Sequence, residues 1–273
     1  MPDIKKIKLS DVTYDLRDAE AARISDAKIT SDSPTTVAVG GISKGTSLKD
    51  KSVAEVIESI FFPYVAFSFS SITTTAGAGT KEYGTSVTIS KVTPSFTAGS
   101  KTINSVKIGT TSGGDDLYSG TSVKSGTAIT LTNSKIYDGA TGGTIYCTLS
   151  DGTTTLTKSA AVSYAYYPYA IASTADSLTS VTSGATKATS TTTSTAISLS
   201  PVTDSYIWFL LPPGTTGNKT IQYEALGQWY EFDGGTTGPV DVVLKLNSGA
   251  TVTYKGYRTN KMAAAGTTSF KII

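Results

Sequence analysis

The stretch SVAEVIESIFFPYVAFSFSS, residues 52–71, changes its hydrophobic period part-way along. Val53, Val56, Ile57, Ile60 and Phe61 fall at i, i+3, i+4, i+7 and i+8, one apolar stripe of a helix. Ser52 and Glu55 have the capping-box spacing, in which the Ser hydroxyl accepts from the third helical N–H and the Glu reaches back to the cap. Pro63 ends the helix, because the residue before a proline is pushed out of helical geometry. From Tyr64 the period is two, with Val65, Phe67 and Phe69 on one face, so the helix leads directly into a first β-strand.

That alternation continues downstream. Val87 and Ile89, Ile129 and Leu131, Ile145, Cys147 and Leu149, and Ala160, Val162 and Tyr164 each mark one face of a half-buried strand. Asp138-Gly139 and Asp151-Gly152 are turn signals between strands. TINSVKI breaks the alternation between Ile103 and Val106, which predicts a bulge. About seven short strands in roughly 100 residues is the pattern of an immunoglobulin-like sandwich.

AYYPYAIAS, centred on Pro168, reads as a junction. A Thr-rich, weakly patterned stretch follows over 175–195, after which AISLS, SYIWFLL, TIQYEA, QWYEF, VDVVLKL, ATVTYKGYR and TSFKII restore strand patterning. The predicted fold class is all-β: two tandem β-sandwich (Ig-like) domains preceded by an extended N-terminal arm and one short amphipathic helix. The predicted divisions are an arm over 1–47, a linker helix over 48–63, and sandwiches over 64–168 and 169–273. The arm holds short apolar pieces (Ile4, Ile7, Leu9) and a candidate short helix, DLRDAEAARISDAK; neither closes a core, so the arm is expected to order against a partner.

Composition agrees with strands. The chain is rich in Ser and Thr, with 26 Gly and only 16% charged residues among 273, a bias away from helices. The net charge is +2 and the lysines are scattered, so the footprint of a nucleic-acid binder is missing. No run approaches the roughly 18 apolar residues that span a bilayer, and MPDIKKIKLSDVTYDLRDAE lacks the apolar centre of a signal peptide. A chain folding in reducing cytoplasm, with no nucleic acid and no membrane insertion, is the expectation. The single cysteine, Cys147, alternates toward the core and reads as a structural thiol.

There is no histidine, which removes the commonest general base and the commonest zinc ligand together. Carboxylate chemistry needs two acids about 5 to 10 Å apart, and Glu224 with Glu231, in strands beside Tyr and Trp, is the one pair worth inspecting; a solvated strand face is the plainer reading. GGDDLYSG, with Asp115 and Asp116, lacks the alternating oxygen donors of a calcium loop and reads as a hairpin tip. Gly40-Gly41 lacks a phosphate-binding fingerprint. No cofactor, no metal and no enzymatic activity are therefore expected. Tyr166, Tyr167, Tyr169 and Tyr230 are candidate glycan contacts, with core packing the plainer role for Trp208 and Trp229.

Four segments together carry a family resemblance. KIKLSDVTYDLRDAEAAR resembles the opening of many bacteriophage tail and appendage proteins. VGGISKGTSLKDKSVAEVIESIFFPYVAFSFS resembles a capped-helix and Phe-Pro module that joins such openings to an Ig-like domain, especially in phages of gut Bacteroidales, including the crAss-like group. EYGTSVTISKVTPSFTAGSKTINSVKI resembles the first strands of that domain, and YRTNKMAAAGTTSFKII the closing strands of the C-terminal one. The resemblance implies a head-fibre or tail-fibre type virion protein assembled in the bacterial cytoplasm, often a homotrimer, docked on capsid or tail through its arm. Ile7, Leu9, Tyr14, Leu16 and Arg17 would then contact the virion, and the 53–61 stripe would pack in an oligomer or on the first sandwich. Two rivals stay open: a bacterial surface adhesin or carbohydrate-binding module, and a fibre-borne glycan hydrolase.

Overall fold

The computed structural model describes residues 6–9, 12–15, 26–30, 34–262 and 266–273. Among them the chain is all-β apart from a nine-residue helix, a helical residue at Asp26 and isolated turns.

β1 (Lys6–Leu9) and β2 (Val12–Asp15) pair antiparallel, with Ile7 opposite Tyr14 and Leu9 opposite Val12. Leu16, Arg17 and the 16–25 part of the candidate arm helix lie outside the described residues. The next described piece orders against the chain itself. The Ile29 N–H donates to the Lys51 carbonyl at 2.9 Å and the Val53 N–H to Ala27 at 3.1 Å, tying the arm to the entrance of the helix.

The helix, α1, is Val53–Phe61. Its capping box forms as the spacing predicts: the Glu55 N–H donates to Ser52 Oγ at 3.1 Å, and the Ser52 N–H to Glu55 Oε2 at 2.7 Å. The Phe62 N–H closes the last turn on the Glu58 carbonyl at 2.8 Å, before Pro63.

The first sandwich comprises β3 (Ser68–Thr74), β4 (Gly79–Glu82), β5 (Val87–Thr97), β6 (Ser105–Gly109), β7 (Tyr118–Gly120), β8 (Ile129–Tyr137), β9 (Gly143–Ser150) and β10 (Thr155–Ala165). One sheet has the order β3-β5-β8, the other β4-β10-β9-β6-β7, with β4 parallel to β10. This is the two-sheet order of the immunoglobulin type. Phe67, Phe69, Val87, Ile89, Ile129, Leu131, Ile145, Cys147, Leu149, Ala160 and Val162 meet in one core, the residues whose alternation marked the strands. Val65, by contrast, is exposed, since the strand begins only at Ser68.

The expected bulge between Ile103 and Val106 is corrected. β6 starts at Ser105, and Ile103 reaches the core from the loop before it. The register shifts lie elsewhere, between Phe69 and Ser71 and between Ile89 and Lys91. The first of these lets Phe69 and Ile72, three apart, both face inward.

The second sandwich comprises β11 (Tyr169–Ser173), β12 (Ser180–Val181), β13 (Thr186–Lys187), β14 (Ile197–Leu199), β15 (Tyr206–Leu211), β16 (Ile221–Ala225), β17 (Gln228–Glu231), β18 (Thr237–Lys245), β19 (Thr251–Arg258) and β20 (Thr268–Ile272). Its sheets run β12-β18-β19-β15-β11-β13 and β14-β20-β16-β17. The wiring is its own: from β15 onward the chain changes sheet between β15 and β16, between β17 and β18, and between β19 and β20.

β15 shows why SYIWFLL does not alternate. Ile207, Phe209 and Leu211 enter the core between the sheets. Leu210 faces a second cluster with Tyr169, Val242, Leu244 and Tyr254 on the other side. A strand covered on both faces reads as a continuous apolar run. The weakly patterned 175–195 stretch helps cover that outer side: Leu178, Val181 and Ala185 pack there, and the Trp208 indole N–H donates to the Ala175 carbonyl at 3.3 Å.

Candidate interaction surfaces

The apolar stripe of α1 is divided. Val53, Val56 and Ile60 are half-buried, whereas Ile57 is 50% exposed and Phe61 71%. The half-buried side lies against the 39–48 loop, where the Gly41 N–H donates to the Ser59 carbonyl at 2.8 Å. Gly40 explains the closeness: its φ is +54°, and a Cβ there would stand 2.3 Å from the Ile60 carbonyl oxygen. Gly40-Gly41 therefore has a packing role against α1. No residue of α1 belongs to any of the three hydrophobic cores. Phe62, 77% exposed at the C-cap, and Val65, beyond the helix, are exposed large apolar groups as well.

The helix is joined to the first sandwich at Tyr64 and Val65. The Tyr64 hydroxyl donates to Asp151 Oδ2 at 2.6 Å, with Lys101 Nζ 5.6 Å from the centre of its ring. The Val65 N–H donates to Ser100 Oγ, and the Ser100 N–H to the Val65 carbonyl, both at 2.8 Å. Asp151 also caps its hairpin turn by accepting the Thr153 and Thr154 N–H groups. Desolvation opposes ionisation of Asp151, but the Thr154 N–H and the Tyr64 hydroxyl outweigh it and hold the carboxyl below its ordinary value.

Of the four tyrosines read as glycan contacts, Tyr169 is buried and the expectation is corrected for it, while Tyr166 and Tyr167 are half-buried at the joint between the sandwiches. Tyr169 is 1% exposed. Its hydroxyl donates to Glu82 Oε1 of the first sandwich and accepts the Asn247 N–H at 3.2 Å. Tyr166 stacks on Tyr83 at 4.6 Å between ring centres, and Tyr167 lies under Lys187 Nζ at 4.5 Å. These residues join the sandwiches, because β10 runs almost directly into β11 and EYG, at the end of β4 and just past it, lies against the β18–β19 turn. The Ser248 N–H donates to Glu82 Oε2 at 3.2 Å, and its hydroxyl to the Tyr83 carbonyl at 2.7 Å. Gly84, with φ +82°, makes room: a Cβ there would lie 2.4 Å from that of Ala250. Burial is the main cause that raises the Tyr169 and Tyr254 phenols above their ordinary value; the bond to Glu82 raises Tyr169 further.

Tyr230, 43% exposed, remains at a surface. It stands opposite Tyr223 in the β16–β17 hairpin, and the cluster continues through Phe232 to Phe270 in the core. Trp208 is buried as core packing requires, while Trp229 is half-buried on the other face of the hairpin with Lys271 Nζ 4.4 Å from its ring. Glu224 pairs with Trp229 and Glu231 with Gln222, so both carboxylates lie on that face, and both are exposed.

Asp115 and Asp116 occupy a hairpin tip between β6 and β7. Asp116 accepts the Thr110 N–H at 2.9 Å and hydroxyl at 3.0 Å, and Asp115 pairs with Lys107 at 3.5 Å. Among the described residues no group of three His, Cys, Asp or Glu side chains could hold a metal ion. No described helix is long and apolar enough to cross a membrane. Compared with protein-family models and with curated proteins, the chain finds no match.

Proposed function

We propose that this chain is a non-enzymatic structural protein of a bacteriophage particle, a head-fibre or tail-fibre type appendage that presents its β-sandwiches for host-surface attachment. The observation that carries this reading is the exposure of Ile57, Phe61, Phe62 and Val65 within nine residues of sequence, between the arm and two sandwiches joined by buried polar contacts. Large apolar side chains left exposed so close together in the chain suit a partner surface. Their place suits assembly near the point of attachment, with copies of the chain meeting along α1 as a homotrimer.

The arm, with Ile7, Leu9, Tyr14, Leu16 and Arg17, is the segment assigned to the capsid or tail. The resemblance of the arm and of the capped-helix module to phage appendage proteins supports the same division of labour. Thr-rich and Ser-rich strands keep such projecting sandwiches soluble without disulfides. Removing residues 1–30 is expected to leave the β-sandwiches folded, by far-UV circular dichroism, while abolishing incorporation into particles. Normal incorporation of the shortened chain would overturn the anchor assignment.

A further inference from the structure

We infer that a cavity at the outer end of the second sandwich is a binding site for a neutral saccharide. It holds about 340 Å³ between the end of β17 and the segment after β19, lined by Tyr223, Phe232, Asp233, Asn260, Lys261 and Met262, with Glu231 at its rim. Tyr223, Phe232 and Met262 make an apolar side and Asp233, Asn260 and Lys261 a polar one, a mixed lining of aromatic surface and hydrogen-bonding groups. The inference rests on the attachment reading above and names the ligand class the second sandwich takes.

Hydrogen bonds tie both walls to the sandwich. The Asn260 Nδ2 donates to the Asp233 carbonyl at 2.9 Å, and the Gly235 N–H closes the turn on the Phe232 carbonyl at 3.0 Å. On the other side the Thr259 N–H donates to Ile207 at 3.0 Å, and Met262 exchanges backbone hydrogen bonds with Ser205 and Asp204, each 2.8 Å. Tyr223 and Phe232 lie 5.0 Å apart between ring centres, tilted by 55°, and form the apolar wall. Ligand binding then costs little ordering of the protein.

The polar groups suit hydroxyls. Among the described residues the Asp233 carboxylate has no hydrogen-bond or ion-pair partner, and the Asn260 amide spends an N–H on the turn, leaving its oxygen to accept. Lys261 Nζ stands 5.7 Å from the centre of the Tyr206 ring and supplies donors. A sugar ring offers what this set lacks: adjacent hydroxyls that both donate and accept around an apolar face that stacks on an aromatic ring. Asp233 disfavours an anion and Lys261 disfavours a cation, while the Glu231 carboxylate is directed to the other face of the hairpin, so the neutral class fits.

The test is saturation-transfer NMR of the full chain with maltotriose, mannotriose and cellotriose as probes, with Kd taken from titration. At least one is expected to bind, and Asp233→Ala or Lys261→Ala is expected to raise its Kd at least about tenfold, the loss of one hydrogen bond to a charged group. Asp115→Ala, on the first sandwich, should leave Kd unchanged. If Asp233→Ala fails to fold, the isosteric Asp233→Asn carries the same expectation. No binding by any probe, or a Kd indifferent to position 233, overturns the site. A chain that sits in particles yet binds no sugar overturns this inference alone, and one that binds sugar but never enters particles overturns the appendage reading.

Discussion

The Tyr169 hydroxyl, at the start of the second sandwich, donates to Glu82 Oε1 at the end of a strand of the first. Both side chains are buried, so the carboxylate is held by partners in place of water: the Ser248 N–H on Oε2, and Lys187 Nζ 3.9 Å from Oε1. Tyr83 of the first sandwich meanwhile packs into the second sandwich's outer cluster.

Replacing Glu82 with Ala strands the Tyr169 hydroxyl and the Ser248 N–H without an acceptor. Leaving buried donors unpaired costs about 2 kcal/mol, read as a lower urea midpoint, and Glu82→Gln, which keeps one acceptor, should lose less. An unchanged midpoint for Glu82→Ala would remove this contact from the account of the junction.

Alkaline pH should weaken the same region. The Tyr169 and Tyr254 phenols are raised in the folded chain, chiefly by burial. Above the unfolded value, about pH 10, the unfolded chain releases phenolic protons that the folded chain retains. Stability is therefore complete below pH 10 and falls as pH rises, by up to about 1.4 kcal/mol per pH unit for each group. Tyr169→Phe should flatten the slope in chemical denaturation measured between pH 9 and 11.

The divided stripe of α1 separates folding from assembly. Ile57→Asp and Phe61→Asp alter exposed side chains and should change thermal stability by no more than about 0.5 kcal/mol, yet lower the mass by light scattering from oligomer to monomer. Val56→Asp, on the half-buried side, should instead loosen the 39–48 loop and speed amide exchange at Gly41. Full oligomerisation of Phe61→Asp would take α1 out of the subunit contact.

Cys147 is fully buried, and burial pushes its thiol up to about 12. Native protein should resist alkylation by iodoacetamide at pH 8 for as long as it stays folded, and react promptly in urea. Rapid labelling of folded protein would mean that the first core opens.

What was legible in the sequence followed periodicity. Ile145, Cys147 and Leu149 alternate because one face of β9 meets the core, and Ser52 with Glu55 announced a cap that forms as spaced. The junction was not legible, because its parts come from positions 82, 169, 187 and 248, and nothing local to EYG shows that its carboxylate is buried by a strand far along the chain. Tyr169 of AYYPYAIAS misled for the same reason: an aromatic run beside a proline fits a surface platform and a joint equally well. The saccharide cavity stayed hidden because Asp233 and Asn260 belong to separate turns. Gly40 carried a signal only in hindsight, since its need for a positive φ depends on how close α1 lies.

Cross-linking mass spectrometry on purified particles tests the central claim most directly. The appendage account predicts links from Lys6 and Lys8 of the arm to a capsid or tail protein, links between copies around Lys49 and Lys51 beside α1, and few links from Lys219 and Lys245 of the second sandwich. A chain missing from particles, or one whose contacts with the particle run through the second sandwich while the arm makes none, would contradict it.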